Sequence, residues 1–227
     1  MKIGILQTGL APDDLKADFG EYPEMFATLL ADRGFEFEAF SVVQGQFPDG
    51  PEAADGWLIT GSRHGVYEDH DWLPPLEQII RDIVSAERPI VGVCFGHQVI
   101  AKALGGVVEK YDGGWAIGPQ TYDFDQGTRV IQAWHQDQVI TPPVGAQTVA
   151  RNDFCAHAAL LYPGKAYSVQ AHPEFGDGFV TGLIDKRGRG VVPDAILDAA
   201  KADIGTPLHQ TELADQFALF FREGRIS

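Results

Sequence analysis

The sequence predicts an α/β fold: a doubly wound, mostly parallel central sheet with helices on both faces. Three observations carry that expectation. Strand-like and helix-like segments alternate from residue 2 to residue 104, the order that lays helices over a parallel sheet. Two short apolar runs, Gly56–Thr60 and Pro89–Val93, read as buried strands. The second run stops at a cysteine between two glycines and passes at once into a helix-like segment.

Taken in order, Lys2–Gln7 is a first strand. Ala17–Arg33 places Phe19, Tyr22, Met25, Phe26, Leu29 and Leu30 at helical intervals and stops before Gly34, a plausible C-terminal cap. Phe35–Val43 alternates apolar and polar residues and is strand-like. Leu73–Ala86 is helical, with Pro74 and Pro75 tolerated in its first turn. After the Pro89–Val93 strand comes the helix Gln98–Leu104. The middle, Val107–Ala150, is rich in glycine, aromatics and short β-like runs, and predicts an added antiparallel region. Ala158–Ala171 predicts a hairpin around Tyr162-Pro163-Gly164-Lys165. Beyond Phe179 the best segments are helices over Asp194–Ala202 and Glu212–Phe221. The simplest organisation is one domain over 1–227, with a flavodoxin-like core of about 1–180 and a helical C-terminal extension of about 181–227.

Composition narrows the function. Lys+Arg is 17 against 32 Asp+Glu, a formal charge of −15. That balance disfavours nucleic-acid and anionic-membrane surfaces, which need basic patches. No apolar run is long enough for a membrane helix, and Met1–Leu6 is too short for a secretory signal. With only Cys94 and Cys155, a disulfide framework is not expected, and the cytoplasm is the expected compartment, though a single bridge between the two remains open. No phosphate-loop or dinucleotide glycine pattern occurs, so no cofactor is expected; Gly113-Gly114 reads as a turn.

Val91-Gly92-Val93-Cys94-Phe95-Gly96-His97-Gln98 has the form of a nucleophile elbow, a sharp strand-to-helix turn with the reactive atom at its corner. Thiolates attack and thiols do not; a free thiol has a pKa of about 8.5. A helix N-terminus favours the anion, and an imidazole relays the proton. His172, in Val169-Gln170-Ala171-His172-Pro173-Glu174-Phe175, is the candidate base. Glu174 lies two residues on, so an extended segment would turn both side chains the same way and let the carboxylate orient the imidazole. The backbone N–H of Phe95 and that of Gly61, in Leu58-Ile59-Thr60-Gly61-Ser62, are candidate oxyanion donors. Cys155 lacks an elbow and reads as a structural thiol. His64, His70 and His157 read as loop or surface residues, and a metal site from His97, His135 and His172 lacks ligand spacing.

Gly92-Val93-Cys94-Phe95-Gly96-His97-Gln98 resembles the Gly-x-Cys-x-Gly-x-Gln signature of class I, triad-type glutamine amidotransferases, and Ala171-His172-Pro173-Glu174 resembles that family's His-Pro-Glu motif. Ile59-Thr60-Gly61-Ser62 resembles its oxyanion loop. The runs Gly61–Asp69 and Trp134-His135-Gln136-Asp137 look closest to the stand-alone, GMP synthase-like branch. The resemblance covers roughly residues 1–180 and implies hydrolysis of the glutamine side-chain amide through a γ-glutamyl thioester, with Cys94 as nucleophile, His172 as base and acid, and Glu174 as orienting acid. It also implies that Gln98, His135 and Gln136 hold the amino-acid end of the substrate. Relatives are often paired with a synthase that consumes the ammonia; no ATP-binding or acceptor domain is read in this chain, so the synthase half is expected to be a separate subunit or absent. The same chemistry fits γ-glutamyl peptidases of that branch, and a non-catalytic binding module is the third reading. Room for a leaving group, set by Arg63–Asp71 and Lys110–Pro119, separates the first two.

Overall fold

The computed structural model describes residues 1–227. Five strands form a parallel half-sheet: β1 (Lys2–Leu6), β2 (Glu36–Phe40), β3 (Gly56–Ile59), β4 (Ile90–Val93) and β11 (Ala166–Val169), in the spatial order β2-β1-β3-β4-β11. The sheet continues antiparallel through β10 (Ala159–Tyr162), β9 (Gln147–Arg151), β6 (Ala116–Phe124) and β7 (Gly127–His135). The remaining strands, β5 (Val107–Lys110) and β8 (Asp137–Thr141), pair with each other in a separate antiparallel ribbon. The glycine-rich middle therefore does two jobs: it extends the sheet and it builds this ribbon beside the elbow helix.

Side chains alternate across the parallel strands, and both faces are buried. One face carries Ile3, Ile5, Leu58, Val91 and Val93 against Phe26 and Leu30, and against α7 (Gln210–Glu223) through Leu213, Phe217 and Phe220. The other carries Leu6, Trp57, Ile59 and Ile90 against α3 (Leu73–Ser85) and α4 (Phe95–Ala103). Burial on both sides is why β3 and β4 read as unbroken apolar runs. Each fully buried aromatic such as Phe217 or Phe220 contributes about 1.5–3 kcal/mol. The segment expected as an extension thus ends in a helix that covers the sheet. No helix is long and apolar enough to cross a membrane.

Four expectations shift. The helix read over Ala17–Arg33 is two helices, α1 (Asp13–Phe19) and α2 (Tyr22–Leu29). Gly20 adopts a φ of 76° between them, and Glu21 restarts the chain with a capping box to Glu24. The strand read over Phe35–Val43 ends at Phe40, and Val42–Gln44 is a 3-10 turn closed by Gly45 in the left-handed region. The elbow helix starts at Phe95, earlier than the Gln98 expected. His-Pro-Glu is a turn, not an extended segment: the Phe175 N–H donates to the His172 carbonyl across Pro173 and Glu174. Helices α5 (Asp177–Leu183) and α6 (Asp194–Ala202) flank one turn of π-helix, Ile184–Gly188.

Candidate active site

Cys94 occupies the corner between β4 and α4 with φ 52° and ψ −105°. It is one of only three non-glycine residues at positive φ, a placement that costs about 1–3 kcal/mol and gathers at functional sites. Its backbone is held on both sides: its N–H donates to the Val169 carbonyl at 2.9 Å, and its carbonyl accepts from Gln98 N–H at 3.1 Å. The two neighbouring glycines are required for clearance. A Cβ on Gly92 would lie 2.5 Å from the Gly96 carbonyl oxygen, and one on Gly96 would lie 2.4 Å from that of Ile59.

The structure brings His172 and Glu174 to this corner from the turn after β11. The His172 N–H is held by the Gln132 carbonyl of β7 at 2.8 Å. Gln210, the first residue of α7, donates its side-chain amide to the carbonyls of Pro173 at 2.5 Å and Phe175 at 3.1 Å. His172 Nδ1 lies 2.7 Å from Glu174 Oε1, with the carboxylate fully buried. The ring stacks on Phe175, centroids 4.0 Å apart and planes within 4°. Burial alone would push the His172 pKa down; the Glu174 carboxylate, hydrogen-bonded to the ring, and the nearby Cys94 sulfur overcome it and raise the value to about 10. The imidazolium is the favoured form beside the buried Glu174 carboxylate.

Gly61 follows β3 and faces the same corner: a Cβ there would meet His172 Cε1 at 2.9 Å and Cys94 Cβ at 3.8 Å. The backbone N–H groups of Gly61 and Phe95 donate to no protein acceptor. Cys94, His172 and Gly61 line a cavity of about 680 Å³. Gln98, His135 and Gln136 line it too. Gln98 Nε2 donates to the Asp137 carbonyl at 2.9 Å, and Gln136 Nε2 to that of Tyr111 at 3.1 Å. His135 is buried, which drives its pKa to about 3, with the His172 charge adding to the effect; its Nε2 has no partner.

Trp115 and Trp134 line the cavity from segments that the sequence already points to, and Tyr22 and Arg187 complete a part of its wall that the sequence does not mark. Tyr22 looks like one more apolar helix position in the sequence; only its burial beside Glu174 and Cys94, which raises its phenol pKa, marks it out. Arg187 comes from the π-helical turn, for which no local sequence signal exists.

One group of potential metal-ligating side chains forms, among residues that the sequence reads as loop or surface positions. His97 is fully buried, and its Nδ1 lies 2.8 Å from Ser168 Oγ, so it is part of the packing behind the elbow. At the cavity rim, His64, Glu68 and His70 bring three potential ligand atoms within 4.8 Å of one another. Glu68 Oε2 already lies 3.3 Å from His64 Nδ1 and 2.7 Å from His70 Nε2, so the set is complete as a hydrogen-bonded cluster. Cys94 and Cys155 are both free thiols, and burial pushes Cys155 up to about 12.

The family described as glutamine amidotransferase class-I matches residues 17–179 of the chain. A curated relative, γ-glutamyl peptidase 4 of Arabidopsis thaliana, is 30% identical over 75% of this chain and 74% of its own length. The GMP synthase (glutamine-hydrolysing) of Pyrobaculum aerophilum is 28% identical over 68% of this chain but only 31% of its own length. Among solved structures, a glutamine amidotransferase from Methylobacillus flagellatus superposes with a TM-score of 0.78, covering 99% of this chain and 94% of that one; at 20% identity this likeness speaks for the fold alone.

Proposed function

The chain belongs to the class-I glutamine amidotransferase family, and from that premise we propose that it hydrolyses γ-glutamyl amide bonds whose leaving group is larger than ammonia, as in γ-glutamyl peptides. The observation that carries this reading is the cavity over the thiol, which has to hold the glutamyl end at Gln98, His135 and Gln136 as well as the leaving group. Ammonia needs about the space of one water molecule, roughly 30 Å³. A cavity of about 680 Å³ falls in the ~300–1,000 Å³ range of sites for much larger ligands. Both loops expected to set this space contribute, through Arg63, Tyr67 and Glu68 on one side and Lys110 and Trp115 on the other. The likeness to a γ-glutamyl peptidase supports the same reading.

In this reading the Cys94 sulfur attacks the γ-carbonyl carbon while His172 holds the thiol proton. The oxyanion rests on the N–H groups of Gly61 and Phe95. The C–N bond breaks as His172 passes its proton to the departing amine, leaving a γ-glutamyl thioester. Water then attacks, His172 takes its proton and returns it to sulfur, and glutamate leaves. Glu174 keeps the imidazole in register and stabilises its charge. Gln98, His135 and Gln136 are assigned to the amino-acid end. Arg63 and Lys110 form no ion pair within this strongly acidic chain, yet both line the cavity; we assign them to a carboxylate on the leaving group. Residues 1–227 are taken to act as one domain, and the free thiols suit a reducing cytoplasm.

A second reading, glutaminase activity feeding a separate synthase subunit, is favoured by the GMP synthase likeness. Incubation with glutamine and with γ-glutamyl dipeptides separates them. Glutamate release from dipeptides well above that from glutamine supports the proposal; turnover of glutamine alone overturns it. Failure of Cys94 to react with a glutamine-mimicking electrophile would favour a non-catalytic binding module.

A further inference from the structure

Glycine is the most flexible residue, yet a catalytic oxyanion donor must not move. The surroundings of Gly61 resolve that conflict with two buried threonines. Thr8 lies just beyond β1 and Thr60 just beyond β3, and both side chains are fully buried. Thr8 Oγ1 is 2.9 Å from the Thr60 carbonyl oxygen and 3.1 Å from that of Gly61. Thr60 Oγ1 is 3.0 Å from the Gly61 carbonyl oxygen and accepts from Thr8 N–H at 3.0 Å. The hydroxyls are 3.2 Å apart.

Each hydroxyl has one proton to give. The arrangement that satisfies both carbonyls sends the Thr8 proton to the Thr60 carbonyl and the Thr60 proton to the Gly61 carbonyl. These carbonyls belong to the two peptide groups on either side of Gly61. No peptide bond in the chain is cis, so the N–H of Gly61 points opposite to the Thr60 carbonyl within one rigid plane. A hydroxyl pulling on that carbonyl from behind fixes the direction of the N–H in front. A Cβ on Gly61 would meet His172 Cε1 at 2.9 Å and Cys94 Cβ at 3.8 Å, so this peptide lies against the Cys94–His172 pair.

We propose that Thr8 is a positioning residue: through the Thr60 carbonyl it locks the peptide whose N–H receives the oxyanion, with Thr60 locking the next peptide in the same way. The inference rests on the hydrolase reading given above. Nothing in the sequence near Thr8 announces it, since it lies 86 positions before the nucleophile.

The test uses the full chain with γ-glutamyl-4-nitroanilide in single turnover, beside alkylation of Cys94 by iodoacetamide. Alkylation needs the sulfur nucleophile but forms no oxyanion. Thr8→Val removes the hydroxyl at nearly constant shape; Thr8→Ser keeps it. Loss of an oxyanion donor outright costs about 100- to 1,000-fold, so a misaimed donor should cost about 10- to 100-fold in acylation. The expected result is that loss in Thr8→Val with KM and the alkylation rate within about threefold of wild type, and rescue by Thr8→Ser. Thr60→Val, which frees the other peptide, should behave alike and serves where Thr8→Val fails to fold. Wild-type acylation in the folded valine variant overturns the inference and leaves the hydrolase reading intact. Parallel loss of acylation and alkylation also overturns it, because the elbow itself would then have moved. Inertness of the wild-type enzyme toward every γ-glutamyl amide overturns the hydrolase reading, and the inference with it.

Discussion

Gly61→Ala isolates how tightly the candidate site is built. Gly61 does not have a positive φ, so alanine is compatible with its backbone. The added Cβ, however, would lie 2.9 Å from His172 Cε1. Carbon atoms in good contact sit about 3.5–4.0 Å apart, so the ring must retreat by roughly 0.6–1 Å. It has nowhere to go: Phe175 is stacked behind it at 4.0 Å, and the Nδ1 hydrogen bond to Glu174 at 2.7 Å holds its edge. A displacement near 1 Å at a reacting group costs about 100-fold in rate. Steady-state kinetics with γ-glutamyl-glycine should therefore show kcat down by about 100-fold, while circular dichroism finds the fold unchanged. Gly65→Ala supplies the control. Its Cβ would also be crowded, 2.8 Å from Tyr67 Cζ, but Tyr67 is 50% exposed and can swing away, so kcat should change by less than about threefold. If Gly61→Ala retains more than a third of wild-type kcat, the imidazole is not where the reaction needs it.

Further expectations can be checked together. Cys94→Ala should abolish turnover with little change in melting temperature, and Cys94→Gly should melt at least as high, because glycine relieves the positive φ; calorimetry decides. Arg63→Gln should lower kcat/KM for γ-glutamyl-glycine by about 10-fold, the worth of one charge-assisted hydrogen bond, but leave γ-glutamyl-glycinamide and glutamine unchanged. Equal loss on all three would move Arg63 to the glutamyl end. Glu174→Gln should cost less rate than His172→Ala, and it should also move the alkaline limb of kcat. In the proposed mechanism the imidazolium is the general acid, so its raised pKa of about 10 places rate loss at that pH in the wild type. Without the Glu174 charge, burial dominates and the limb shifts toward neutrality. The stability linkage has the same sign: the imidazolium's contribution is complete below the ordinary value near 6.5 and is lost as pH rises toward about 10. Thermal melts of both proteins across that window should diverge least at the alkaline end.

What was legible followed from local rules. The elbow could be read because clearance and strain leave residues behind: Gly92, Gly96 and a cysteine at the corner. The hairpin at Pro163-Gly164 was readable for the same reason, with Gly164 at φ 68°. The break at Gly20 is hidden in the sequence because the apolar spacing of Phe19, Tyr22, Met25 and Phe26 persists across it; periodicity registers faces and ignores a single rotated residue. The sequence points to an extended His-Pro-Glu segment, yet the proximity of His172 and Glu174 survives the difference, because a tight turn also brings positions two apart together. Thr8, Tyr22, Arg187 and Gln210 were invisible. Each reaches the site through tertiary packing, and no spacing along the chain encodes a distance across the sheet.

The strain at Cys94 raises the question of why the elbow does not relax. Relaxation to a negative φ would redirect α4 away from β3 and β4. That helix buries Phe95, Val99 and Ile100 in the layer shared with Trp57 and Ile59. Each of the three side chains contributes about 1.5–3 kcal/mol when buried, so their loss outweighs the ~1–3 kcal/mol stored at the corner. The balance holds only while α4 sits close enough for those contacts, and closeness is what the two glycines permit: any side chain at 92 or 96 would meet backbone atoms at 2.4–2.5 Å and lift the helix off the sheet. The residues that shape the corner at Cys94 and those that stabilise the sheet's second face thus belong to the same helix seen from two sides. A substitution that loosens this packing should release the strain and misplace the sulfur in one step.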